Sequence, residues 1–167
     1  MVEIAKDDEI TISYRPATGY HTRTKREIEL RKWSFYCGCG ACQPRSLFGA
    51  GSDARRLQMR RLQDKIDTRN YPPGNIIQRL HDIGKLEYLL RQEELIYPML
   101  ADVYHLAAEW YRDTLLGDTS RAASYEDGNR KQALELARKE LDLDVACTGH
   151  RSTEVAKTLR FIRQLQG

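Results

Sequence analysis

Cys37, Cys39 and Cys42 fall within six residues, in the order C-x-C-x2-C. Thiols this close cannot pair sensibly with one another as disulfides, whereas thiolates packed this tightly commonly share a metal ion. Zinc takes sulfur donors and prefers four ligands in a tetrahedron, so three cysteines make an incomplete structural site that needs one more ligand from elsewhere. A second concentration of chemistry-bearing residues is the basic run Arg55, Arg56, Arg60, Arg61 and Lys65. It reads as a solvated helix face, with acidic runs such as Glu93-Glu94 and Asp142 to Asp144 able to oppose it. The sequence holds no Gly-rich phosphate loop, no H-E-x-x-H and no nucleophile elbow.

The elements that position the cysteines are short on their N-terminal side. Residues 9–14 alternate as Glu9, Ile10, Thr11, Ile12, Ser13 and Tyr14, which predicts a β-strand with Ile10 and Ile12 on one face. Residues 15–20, RPATGY, read as a loop. Thr22 or Thr24 can then cap a short helix through Glu27, Ile28, Leu30 and Arg31, which delivers Trp33 and Phe35 to the cysteines. Pro44, Gly49 and Gly51 mark a change from site to linker.

Beyond the linker the period becomes helical. Ser52 is placed as an N-cap, followed by Leu57, Leu62 and Ile66, before Tyr71-Pro72-Pro73-Gly74 breaks the element. Asn75 opens a second helix with an apolar stripe through Ile76, Ile77, Leu80, Ile83, Leu86, Leu89 and Leu90. Pro98 suits the start of a third, which ends at Gly117; a fourth begins near Asn129 and closes at Gly149. A last helix follows a Ser152 cap, with Val155, Leu159, Ile162 and Leu165 at helical spacing. The fold expected is mainly α: a helical-hairpin, tetratricopeptide-like array preceded by a short β-strand and a cysteine-rich zinc knuckle. No clean 34-residue period supports a true repeat. The expected domains are residues 1–43, a linker at 44–51, and an all-helical domain over 52–167.

Composition bounds the function. The chain has 27 Lys and Arg against 24 Asp and Glu, and a net charge of +3 is too mild to point to nucleic acid. Hydrophobic residues make up 41%, and no apolar run approaches the roughly 20 residues that span a bilayer, so a soluble chain without a membrane partner is expected. The N-terminal residues MVEIAKDDEI lack the features of a signal peptide, and the four cysteines form no spaced disulfide framework. A reducing compartment, nucleus or cytoplasm, follows as the expected location.

The strand EITISY, the short helix and the segment WSFYCGCGAC together resemble the end of a SET domain and its post-SET cysteine segment, as found in protein-lysine methyltransferases. The spacing C-x-C-x2-C after a helix is most similar to the SET-MYND branch, whose members also continue into a helical, tetratricopeptide-like domain. The resemblance covers residues 3–43 by motif and residues 52–167 as architecture.

That resemblance implies a catalytic role for Tyr14, whose hydroxyl would line the lysine channel; a tyrosine packed at a strand end is the alternative. It places Phe35 against the adenine of S-adenosylmethionine and Trp33 beside the substrate lysine, with core aromatics of the short helix as the alternative. It makes Cys37, Cys39 and Cys42 zinc ligands, with a fourth thiolate from a SET core upstream. Within this chain the candidates for the fourth place are His21, Cys147 and His150. Cys147, beside Ala146 in a helical run, reads rather as a small buried hydrophobe than as a ligand. His81 and His105 are expected as surface or interhelical residues. The glycine-containing motif and the Asn-His pair that grip the methyl donor in the family do not occur in this sequence. The expectation is therefore the C-terminal part of a protein-lysine methyltransferase, inactive as this chain alone, with S-adenosylmethionine bound only where the SET core is present. The partner expected is a protein substrate or peptide. The alternative is a non-catalytic helical interaction module or a zinc-binding adaptor.

Overall fold

The computed structural model describes residues 20–43, 45–72, 75–117 and 123–167, and these are mainly helical, with no strand among them. The strand expected over residues 9–14, and Tyr14 with it, lie outside the described residues. Among the described residues six helices follow in order: α1 (Arg23–Arg31), α2 (Gly49–Asp67), α3 (Ile76–Gln92), α4 (Met99–Gly117), α5 (Ala123–Thr148) and α6 (Thr153–Gln166). No described helix is long and apolar enough to cross a membrane. The chain divides into two compact units between Leu95 and Ile96. The cysteine segment therefore shares a unit with α1, α2 and α3.

In the first unit, α2 and α3 form an antiparallel hairpin. Near one end Ser52 donates to Glu93 at 2.7 Å, and at the other Lys65 reaches Asp82 at 2.6 Å. Met59, Leu86 and Leu90 between these polar ends, and Ile66 beside Lys65, are almost completely buried. Burying such side chains contributes about 1.5–3 kcal/mol each. Asn75 caps α3 by accepting from the Gln78 amide at 3.1 Å, as its position predicts.

Three details correct the sequence reading. The helix α2 begins at Gly49 rather than at Ser52, and Ser52 is a buried bridge to Glu93 instead of a cap. The basic run is not a uniformly solvated face: Arg56 is buried, Arg55 is largely covered, and both reach Glu93, while Arg60 and Arg61 stay in solvent. Leu57 and Ile77 face outward despite fitting the apolar stripes, because the α2–α3 contact covers a narrower arc than their spacing suggests.

In the second unit, α5 packs antiparallel to α4 and to α6. Ala108, Ala133 and Ala137 meet Phe161, Ile162 and Leu165 in its core, and the small alanines allow close approach of the helices. Gly149, with φ of 84°, turns the chain out of α5, a conformation that glycine adopts without steric cost. Ser152 caps α6 through the Val155 amide at 3.2 Å, as expected. The helix α5 starts at Ala123, earlier than the Asn129 of the sequence reading. Cys147 is exposed, which removes the buried-hydrophobe reading of it.

A polar network crosses this second core. His105 Nδ1 lies 3.0 Å from Glu140, and the Thr158 hydroxyl lies 3.1 Å from Glu140 and 2.6 Å from Asp144. The hydrogen bond to Glu140 raises the His105 pKa against the opposing effect of burial. A histidine whose folded pKa lies above its unfolded value of about 6.5 stabilises the fold fully below that value, and the contribution is lost as pH rises through the folded pKa. The full chain is therefore expected to melt at lower temperature as pH rises from about 6.5 through the folded pKa of His105, and His105→Gln should flatten that slope. Equal slopes in the two proteins would show that the His105–Glu140 pair does not carry the effect.

Candidate metal centre

The cysteine segment is built as a loop whose carbonyls from Gly38 to Ala41 accept hydrogen bonds. The Cys39 carbonyl accepts from the amides of Cys42 at 2.9 Å and Gln43 at 3.1 Å. Gln43 Nε2 donates to the Gly38 carbonyl at 2.9 Å, and Arg26 Nη2 donates to the Ala41 carbonyl at 2.9 Å. The Ser46 hydroxyl lies 2.7 Å from the Gly40 carbonyl and 3.0 Å from that of Gln43, with one proton to share between them. Its oxygen accepts from the Gly49 amide at 2.8 Å, which ties the loop to the first turn of α2. With these bonds made, the loop is held by two backbone bonds to the Cys39 carbonyl and by the side chains of Arg26, Gln43 and Ser46.

Within that loop the sulfurs of Cys37, Cys39 and Cys42 all lie within 4.8 Å of one another. Zinc–sulfur bonds of about 2.3 Å in a tetrahedron place sulfurs roughly 3.8 Å apart, so a small contraction closes them on an ion. The donor set is compatible with zinc, and the group could hold a metal ion. Cys42 is buried, Cys37 partly so and Cys39 exposed, so the cluster spans the surface of its unit. Burial pushes the Cys37 thiol up to about 11. Cys39 is held below the usual thiol value although burial opposes this, because the thiols of Cys37 and Cys42 and the nearby backbone point hydrogen bonds at it. Metal binding by such a set releases protons.

The helix α1 supplies the cluster's support. Its first amide, at Arg23, donates to Asp53 of α2 at 2.6 Å, so a carboxylate from another helix serves where Thr22 makes no side-chain cap. Tyr20 reaches Gln63 at 3.1 Å. On the inner face of α1 the buried residues are Arg26 and Leu30, one turn apart, while Ile28 faces outward. Arg26 was not among the candidates read from sequence; the only signal for it is its i,i+4 relation to Leu30. Ser34, with φ of 53°, then turns the chain from α1 toward the cysteines.

Trp33 and Phe35 are 66% and 45% exposed, so neither is a core aromatic of α1. They flank the cysteine loop, and Tyr36 beside them is also exposed. Among the described residues the sulfur cluster contains only the three cysteines. The His21 ring is paired with Glu29 at 3.2 Å, and Cys147 and His150 belong to the second unit.

Gly49 is where the loop and α2 approach most closely. A Cβ there would overlap the Gln43 carbonyl and come within 2.9 Å of the Gly40 carbonyl, both backbone atoms that cannot swing aside. Gly49→Ala should cost about 1–3 kcal/mol in denaturant unfolding and expose Cys42 to faster alkylation. Gly84→Ala in α3, where a Cβ meets nothing within 4 Å, should stabilise by about 0.5–1 kcal/mol. Indistinguishable effects at the two glycines would contradict the close approach. No protein-family model, curated protein or solved structure matches this chain.

Proposed function

We propose that the chain is the C-terminal part of a SET-domain protein-lysine methyltransferase, with residues 1–43 as the end of the SET domain and its post-SET segment and structural zinc on Cys37, Cys39 and Cys42. The observation that supports the metal part is the convergence of three sulfurs within 4.8 Å on a loop with every carbonyl from Gly38 to Ala41 hydrogen-bonded. The methyltransferase part rests on the resemblance of residues 3–43 and on the helical continuation that follows them. In this reading the metal has no chemical step. It fixes the loop that carries Trp33 and Phe35, whose exposed rings flank a lysine channel and the adenine of S-adenosylmethionine, and Tyr14 completes the channel. The helices act as a tetratricopeptide-like support. Transition-state stabilisation needs cofactor and substrate contacts held together, and without the Asn-His pair the chain alone does not transfer methyl groups.

A second reading is favoured by the groove between α5 and α6. A cavity of about 510 Å³ there is lined by Leu141, Val145, Ala146, Val155 and Leu159, with exposed Asp142 and His150 among its walls. It suits an apolar side chain of a bound peptide, as a helical interaction module would present. One experiment separates the readings, and a second tests the inactivity of the chain alone. The transcript read in frame upstream of Met1 should encode an Asn-His pair and a fourth cysteine; a closed frame would remove the methyltransferase reading and leave the interaction module. The zinc-loaded chain alone, given labelled S-adenosylmethionine and lysine-rich protein, should transfer no label; transfer would overturn the assignment of an inactive part.

A further inference from the structure

Arg26 is a buried cation at an unusual address. It is 7% exposed in the middle of α1, and its guanidinium donates to the His21 carbonyl at 2.6 Å, the Ala41 carbonyl at 2.9 Å and the Cys42 sulfur at 3.5 Å. None of these partners is a carboxylate, and among the described residues Arg26 forms no ion pair. A charge taken out of water without a counter-charge is costly.

Nearby charges sharpen the imbalance. Arg56 is 6% exposed and carries a charge that Arg26 repels, alongside a larger penalty from its own burial. Glu93 meets Arg56 at 2.8 Å, but it also takes Arg55 at 2.7 Å. Glu93 is thus already engaged by two guanidinium groups of α2. The sulfur cluster faces the same region: Cys42 touches Arg26, and Cys39 acts on Arg56 with the sign of an attraction.

We propose that Arg26 is the outer-sphere cation of the three-cysteine metal centre, a positioning residue that offsets the charge the loaded centre carries. The inference rests on the metal reading of the cysteines. Loading balances as follows: three thiols give three protons to solvent, three sulfur–metal bonds form, and a divalent ion with three thiolates carries one negative charge. No electron changes hands. The guanidinium of Arg26 stays protonated and matches that single charge in place. Because the same side chain holds the His21 and Ala41 carbonyls, loading the centre also tightens α1 onto the cysteine loop. A partner of this kind typically changes metal affinity by about 10–100-fold.

The test uses the full chain, cobalt(II) as the probe and three proteins: wild type, Arg26→Met and Arg26→Lys. Wild type should bind one cobalt with the visible bands of tetrahedral thiolate coordination. Arg26→Met should bind about 10–100-fold more weakly, and Arg26→Lys, which keeps the charge, should recover much of the loss. The melting temperature supplies the second readout. Metal should raise it less in Arg26→Met than in wild type, because the side chain works mainly in the loaded state. Equal affinity in wild type and Arg26→Met would overturn the inference while leaving the metal centre standing. So would an Arg26→Met chain that loses the same melting temperature with and without metal, or that is unfolded in both, since Arg26 would then be a packing residue. A wild-type chain that binds no cobalt would fail at the earlier step and remove the metal centre itself.

Discussion

The carboxylate of Glu93 is fully buried, and the unit that carries the cysteines depends on how it is satisfied. It accepts from Ser52, Arg55 and Arg56, all on α2, although it stands just past the end of α3. Removing the partner of a buried charge costs about 3–5 kcal/mol, against about 1.5–3 kcal/mol for burying one large apolar side chain. The register of the α2–α3 hairpin is therefore set more sharply by this carboxylate than by any single contact of Met59 or Leu86. From the hairpin the order passes outward: Asp53 of α2 receives the first amide of α1, and Ser46 and Gly49 join the cysteine loop to the start of α2. The three sulfurs meet because each of these joints is a short, directional hydrogen bond.

The second unit follows a similar rule with different residues. Its alanines bring α4 and α5 close, and His105, Glu140, Asp144 and Thr158 fix how far each helix slides along the next. Dispersion and apolar burial stabilise both units without specifying one register. The buried polar groups penalise every register that leaves them unsatisfied.

Much of the local structure was legible in the sequence because it is set by neighbours in the chain. Asn75 and Ser152 cap helices where their spacing says they should, Gly149 ends α5, and the cysteine spacing brings the sulfurs together. What was not legible depends on distant partners. Ser52 looks like a cap, yet it is a bridge to a residue on another element, and Ser46, four residues after the last cysteine motif position, bonds the early amide of α2 instead. Arg26 and Arg56 are charged residues on charged stretches, and the i,i+4 relation of Arg26 to Leu30 is the one local mark of its burial. Ile77 and Leu57 satisfy a helical period while facing solvent, since periodicity gives a face and not its width. The expected strand and Tyr14 lie outside the described residues, so the catalytic half of the resemblance rests on sequence alone.

Zinc K-edge X-ray absorption on the full chain carrying one equivalent of zinc tests the central claim most directly, because it counts the donors around the ion. The account predicts a shell of at least three sulfurs at about 2.3 Å. A shell made only of nitrogen and oxygen donors at about 2.0–2.2 Å would contradict it, since the ion would then sit away from Cys37, Cys39 and Cys42.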